Sequence, residues 1–114
     1  MNSYIEVNDA DYKYILAKGG RVEQFSGIFN NNDSVESALK PIINDLKQSK
    51  GILIKFILSN EYKKYKKLDN IEKFMLKINE IAPIDTVIIF GVYYDDLKVE
   101  TFKCDILILG LPEN

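Results

Sequence analysis

The run GILIKFIL at Gly51–Leu58 constrains this chain more than any other stretch. Ile52, Ile54, Phe56 and Leu58 alternate with Leu53, Lys55 and Ile57, so both faces of the strand it predicts are largely apolar. Such a strand belongs inside a sheet that is covered on both sides, which points to an α/β fold. TVIIFGVYY at Thr86–Tyr94 has the same character. Between the two runs, Leu68, Ile71, Phe74, Met75, Ile78 and Ile81 recur at helical spacing, and Pro83 stops the pattern.

The remaining segments fit the same scheme. Asn8–Lys18 reads as a short helix, with Asn8 as N-cap and Asp11 three places on, as in a capping box. Val7 and Tyr12 stand where a hydrophobic staple closes, and Gly19-Gly20 supplies a left-handed stop. Arg21–Phe29 is a strand of mixed polarity, which suggests an edge. Val35, Ala38, Leu39, Ile42, Ile43 and Leu46 share a helical face, and Pro41 within them predicts a kink or a restart. Val99–Leu111 is a last strand, joined to Thr86–Tyr94 by a hairpin around Asp95–Lys98.

The expected architecture is one α/β (α+β) domain over residues 1–114. It has a four-stranded, mostly parallel sheet, two crossover helices, an extra N-terminal helix and a C-terminal antiparallel hairpin. The two crossover helices cover one face. The first helix, about 15 Å long, covers only part of the other. The uncovered remainder is expected to hold a second copy or a protein partner.

Composition narrows the function. A chain of 114 residues, 46% hydrophobic, folds without a disulfide or a metal. A net charge of −2, with Arg21 the sole arginine, argues against a nucleic-acid binder. Cys104 is alone, so it forms no internal disulfide. No apolar run is long enough to span a membrane, and the polar opening MNSYIEVNDADY lacks the core of a signal peptide, which fits the cytoplasm. With no histidine, a Cys–His nucleophile pair is excluded and the ligand set for a metal at Asp95-Asp96 is thin. No metal or cofactor is expected.

Three stretches resemble the C-terminal domain of FtsZ, the bacterial tubulin-like division GTPase. IIFG at Ile88–Gly91, followed by Asp95 and by Gly110-Leu111, is similar to a strand, acidic turn and Gly-ending strand of that family. KPIINDLKQSKGILIKF at Lys40–Phe56 resembles its Ser-Pro-Leu-Leu segment and the Gly-Val-Leu-Val strand after it, with Pro41 at the family's proline. IEVNDADYKYIL at Ile5–Leu16 resembles the activating loop Asn-Val-Asp-Phe-Ala-Asp-Val-Lys, matching at Val7, Ala10, Asp11 and Lys13. Gly20 and Ser26-Gly27 also match, so the resemblance spans about residues 5–111.

The resemblance implies a fold agreeing with the strand order above. It also implies that GTP is held by a separate domain with a Gly-rich loop. This chain contains no such loop, since its one glycine pair precedes a strand. The family's loop presents an Asn and two Asp to a neighbour's nucleotide. Here those positions are Glu6, Asn8 and Asp11, with Asp9 one residue away. An amide in place of a carboxylate does not act as a base. The expectation is therefore a non-catalytic domain that works through protein contacts, modulating or capping a division filament of FtsZ or assembling with itself. At most it supplies the loop remnant Glu6, Asn8, Asp9 and Asp11 to a partner GTPase. Helix capping accounts for Asn8 and Asp11 without a partner.

Tyr62, Lys63, Lys64, Tyr65, Lys66 and Lys67 interleave aromatics with charge and form a second candidate partner site. That pattern suits an acidic partner or a single-stranded nucleic acid, although a solvated loop explains it too. A rival class is a small oligomeric enzyme or ligand binder with a chorismate-mutase-like fold. Its intersubunit sites call for convergent arginines, and only Arg21 exists.

Overall fold

The computed structural model describes residues 2–30, 33–63 and 69–113. The elements run β1 (Asn2–Ile5), α1 (Asp9–Leu16), β2 (Arg21–Asn30), α2 (Val35–Leu39), a 3-10 turn (Lys40–Ile42), α3 (Ile43–Gln48), β3 (Gly51–Ser59), a 3-10 turn (Asn60–Lys63), α4 (Asp69–Ile81), β4 (Val87–Asp95) and β5 (Thr101–Leu111). The strands form one sheet in the order β1-β4-β3-β5-β2.

This order corrects the expected topology in three ways. The sheet is mixed rather than mostly parallel, because β3 and β4 are its one parallel pair among the described residues. The sheet has five strands rather than four. The polar segment Asn2–Ile5 adds to β4 as an antiparallel edge, and four residues are too few to show a period. Finally, β4 and β5 do not form a hairpin, since β3 lies between them and pairs with both. Residues 96–100 bridge two strand spacings, about 10 Å, which five residues span easily.

The crossover logic nevertheless holds for direction. β2, β3 and β4 run the same way, and β5 slots in antiparallel between β2 and β3. β5 fits an interior place because Phe102, Cys104, Ile106 and Ile108 are all buried on one side and Leu109 on the other.

One face packs under α2, α3 and α4. Leu39, Ile42, Leu46, Ile71, Phe74 and Ile78 meet Ile52, Ile54, Phe56, Val92 and the buried side of β5 in a single core. Phe74 sits edge-on to Phe56 and Phe102, with centroids 6.0 and 5.4 Å away. As expected, the segment through Pro41 breaks: α2 ends at Leu39, and Pro41 sits in the first turn of the 3-10 segment Lys40–Ile42, where no intrahelical donor is needed.

The other face is crossed by α1. Val7, Ile15, Leu53 and Leu109 form a smaller buried cluster, with Tyr12, Ile89 and Leu107 half-buried around it. Beyond α1 this face is not the continuous apolar surface expected from β3 and β4 alone. Ile57 is buried, and Lys55, Lys103 and Asp105 occupy the open part of the central strands.

Gly19 and Gly20 end α1 with φ of 68° and 77°. A Cβ on Gly20 would lie 2.8 Å from Gly110 Cα and from the Leu111 carbonyl oxygen, whereas one on Gly19 meets nothing within 4 Å. Gly19→Ala is therefore expected to cost about 1 kcal/mol, for the left-handed backbone alone. Gly20→Ala adds a backbone clash and should cost more than about 2 kcal/mol. Urea denaturation of the two variants side by side checks the difference.

Candidate functional site

The first candidate site, Glu6, Asn8, Asp9 and Asp11, lies where β1 passes into α1. Asn8 caps the helix: its Oδ1 accepts from the Asp11 N–H at 3.0 Å, and Asp11 Oδ2 accepts from the Asn8 N–H at 3.0 Å. The expected capping box is thus present. Val7 and Tyr12, the staple pair, belong to the same apolar cluster. The Val7 N–H donates to the Tyr93 hydroxyl at 2.9 Å, which anchors the start of α1 to β4. Asp11 is half-buried, while Glu6 and Asp9 are exposed beside it. Both cap oxygens are thereby engaged within the chain, and two carboxylates remain presented to solvent.

The second candidate site is placed only in part. Tyr62 is half-buried, and its hydroxyl donates to the Val99 carbonyl at 2.6 Å, binding it to the turn after β4. That geometry suits a structural anchor rather than a free stacking platform. Lys63 closes the 3-10 turn Asn60–Lys63, and Lys64, Tyr65, Lys66 and Lys67 lie outside the described residues. Tyr62 stands at the end of the sheet where β3 ends at Ser59 and β4 at Asp95, whereas the start of α1 lies over the middle of β4, with Val7 beside Gly91.

Charge gathers in one place that reading by segment does not find. Lys55 pairs in register with Gly91 on β4 and Asp105 on β5. Its ammonium lies 5.2 Å from the Tyr12 ring centroid and 5.9 Å from that of Tyr93. The Tyr12 hydroxyl holds the Lys55 ammonium above the ordinary lysine range, against a smaller opposing effect of burial, and the fields of Tyr93 and Asp105 add to it. Lys103 stands 4.0 Å from Asp105. The signal was a single lysine in an otherwise apolar strand, although its partners come from three other elements. Beside it is a cavity of about 180 Å³ lined by Tyr12, Gln24, Leu53, Lys55, Asp105 and Leu107. That falls below the roughly 300–1,000 Å³ of drug-sized ligand sites.

Cys104 and Arg21 have structural roles. Cys104 is fully buried in the main core, and desolvation pushes its thiol far above the usual range, so it is not a nucleophile near neutral pH. Arg21 donates to the Pro112 carbonyl at 3.2 Å and pairs with Glu23 and, at 3.7 Å, with Asp45. The only arginine thus ties β2 to α3 and to the residues after β5. Among the described residues, no group of acidic or thiol side chains is arranged to hold a metal ion. Among them too, no helix is long and apolar enough to cross a membrane.

No family model matches the sequence, and no curated protein does. Solved structures do match. An empty FtsZ dimer from M. jannaschii superposes with a TM-score of 0.73 at 18% identity, over 94% of this chain and 32% of that one. A point mutant of the same FtsZ gives 0.76 at 21% identity, over 96% and 34%. TubZ of Bacillus thuringiensis serovar israelensis, in GDP-form protofilaments, gives 0.71 at 12% identity, over 96% and 32%. The chain has the fold of part of FtsZ and TubZ. It spans about a third of the length of those chains.

The capping geometry gives two expectations. Asn8→Ala should cost about 1 kcal/mol through loss of the cap. Tyr93→Phe should cost a similar amount, about 1 kcal/mol, because it removes the acceptor of the part-buried Val7 N–H. Chemical denaturation of each variant measures both.

Proposed function

We propose that this chain is a non-catalytic tubulin-superfamily-like domain that works through protein–protein contact, docking on a filament of an FtsZ-type partner and modulating or capping it. The observation that carries this reading is the superposition of nearly the whole chain on about a third of proteins solved as a dimer and as protofilaments. The docking surface on this reading is the part of the sheet's second face where α1 begins, over the middle of β4. Glu6 and Asp9 are exposed there, and the backbone that holds them is fixed by the cap and by Tyr93. The lack of a Gly-rich phosphate loop supports the non-catalytic part.

Two measurements test the proposal. The isolated protein at micromolar concentration should release no phosphate from GTP above a buffer blank; release abolished by Asp11→Ala would overturn the non-catalytic reading. Co-sedimentation with filaments of a full-length FtsZ should retain the protein, and Glu6→Lys with Asp9→Lys should weaken retention by about tenfold or more through charge reversal at the contact. Both side chains are exposed, so the fold of that variant should be intact. Failure of the wild-type chain to co-sediment, and of a pull-down to recover any FtsZ-type protein, would remove the docking hypothesis.

A further inference from the structure

β2 is a ten-residue strand at the edge of the sheet, with β5 as its one neighbour among the described residues. Long edges are usually blunted by lysine, proline or a bulge pointing away. Here the register with β5 is irregular between Arg21 and Glu23, where β5 carries the extra residue, and it runs unbroken from Glu23 to Asn30; the stretch Val22–Phe29 holds one charge, Glu23, and no proline. It also carries two exposed apolar side chains, Val22 at 46% and Ile28 at 65% exposure. Their positions are six apart, so both project to the same face as Gln24 and Ser26.

The direction of the free backbone groups follows from the end of the strand. Asn30 gives its N–H to Asp33 Oδ2 at 2.9 Å, and its carbonyl accepts from the Asp33 N–H at 3.0 Å. Both groups of Asn30 are thus turned away from β5. Alternation along an antiparallel strand then aims the N–H and C=O of Val22, Gln24, Ser26 and Ile28 at the open edge. These are the groups that a further strand would bind.

We propose that the occupant of this edge is a second copy of the chain, joined antiparallel along β2 about a two-fold axis at Phe25. In that register Val22 of each copy faces Ile28 of the other, Gln24 faces Ser26, and the two Phe25 side chains meet at the axis. Glu23 falls opposite Gly27 and Arg21 opposite Phe29, so no like charges confront each other. Moving the register by one step either way places Ile28 opposite Gly20 or Gln24 and separates the apolar pairs. The strand is therefore self-complementary in one register, as an isologous interface requires. Phe25 and Phe29 are half-buried at the margin of the main core, so the joined edge extends that core across the axis. This inference is independent of filament docking, which uses the other end of α1 and different residues.

The test is sedimentation equilibrium of the full chain from micromolar to millimolar concentration. A mass twice that of the chain is expected at the upper end. V22K and I28E should each weaken dimerisation by about tenfold or more, since each places a charge against an apolar partner twice per dimer. The double variant V22K/I28E should restore it, because every introduced ammonium then faces an introduced carboxylate across the axis. Within one chain the two positions lie about 20 Å apart along the strand, so the rescue has no intramolecular source. Circular dichroism should be unchanged in all three. A wild-type chain that stays monomeric at millimolar concentration would overturn the proposal, as would a dimer indifferent to both single changes or one that the double change fails to rescue.

Discussion

β3 is hydrogen-bonded along both edges and covered on both faces, and the rest of the structure is arranged to satisfy it. Its nine residues pair in parallel with β4, and eight of them, Gly51–Leu58, antiparallel with β5. Ile52, Ile54, Phe56 and Leu58 require the layer made by α2, α3 and α4, and Leu53 requires α1. A strand this apolar leaves little choice at its centre, because each exposed large aliphatic side chain would forfeit roughly 1.5–3 kcal/mol of burial. Lys55 is the exception. It marks the point where α1 no longer covers the sheet, and polar groups from β5 and α1 gather around it.

The sequence showed the elements well and their neighbours poorly, for a physical reason. Capping, glycine stops and periodicity are properties of adjacent residues. Asn8 and Asp11, Gly19-Gly20 and the break at Pro41 were therefore legible. Strand order depends on contacts between residues far apart in the chain. Phe102, Cys104, Ile106 and Ile108 alternate with Lys103, Asp105, Leu107 and Leu109, and an edge strand and an interior strand facing a polar opening share that alternation. Lys103 and Asp105 are polar because they border Lys55, not because β5 is an edge. β1 was missed for a different reason: four residues are too few to show a period, and the pairing with β4 exists only once the sheet is assembled.

The candidate site divides along the same line. The acidic residues of the loop remnant were visible as a local motif, and so was their competing use as a cap. The aromatic and charged group around Lys55 draws on α1, β3, β4 and β5 and appears only once the sheet is assembled. Tyr93 joins the two, since its hydroxyl receives the Val7 N–H and its ring lies beside the Lys55 ammonium. The start of α1 and the open face of the sheet are therefore mechanically linked through one side chain.

That linkage bears on what the loop remnant is able to offer a partner. An amide oxygen has two lone pairs, of which Asn8 commits one to the Asp11 N–H, and its two N–H donors take no part in the cap. A carboxylate has about four lone-pair sites, of which Asp11 commits one to the Asn8 N–H. Asp11 thus retains more acceptor capacity than Asn8, and the cap fixes the position of both. Exchanging Asn8 for Asp would leave the cap intact, because either side chain serves at that position. The amide is therefore not demanded by the fold. What the amide changes is charge: one negative charge fewer at the helix start, with Glu6 and Asp9 left as the exposed acidic groups. On the proposed reading, the surface has exchanged a chemical role for an adhesive one, and the helix cap is what holds it in shape.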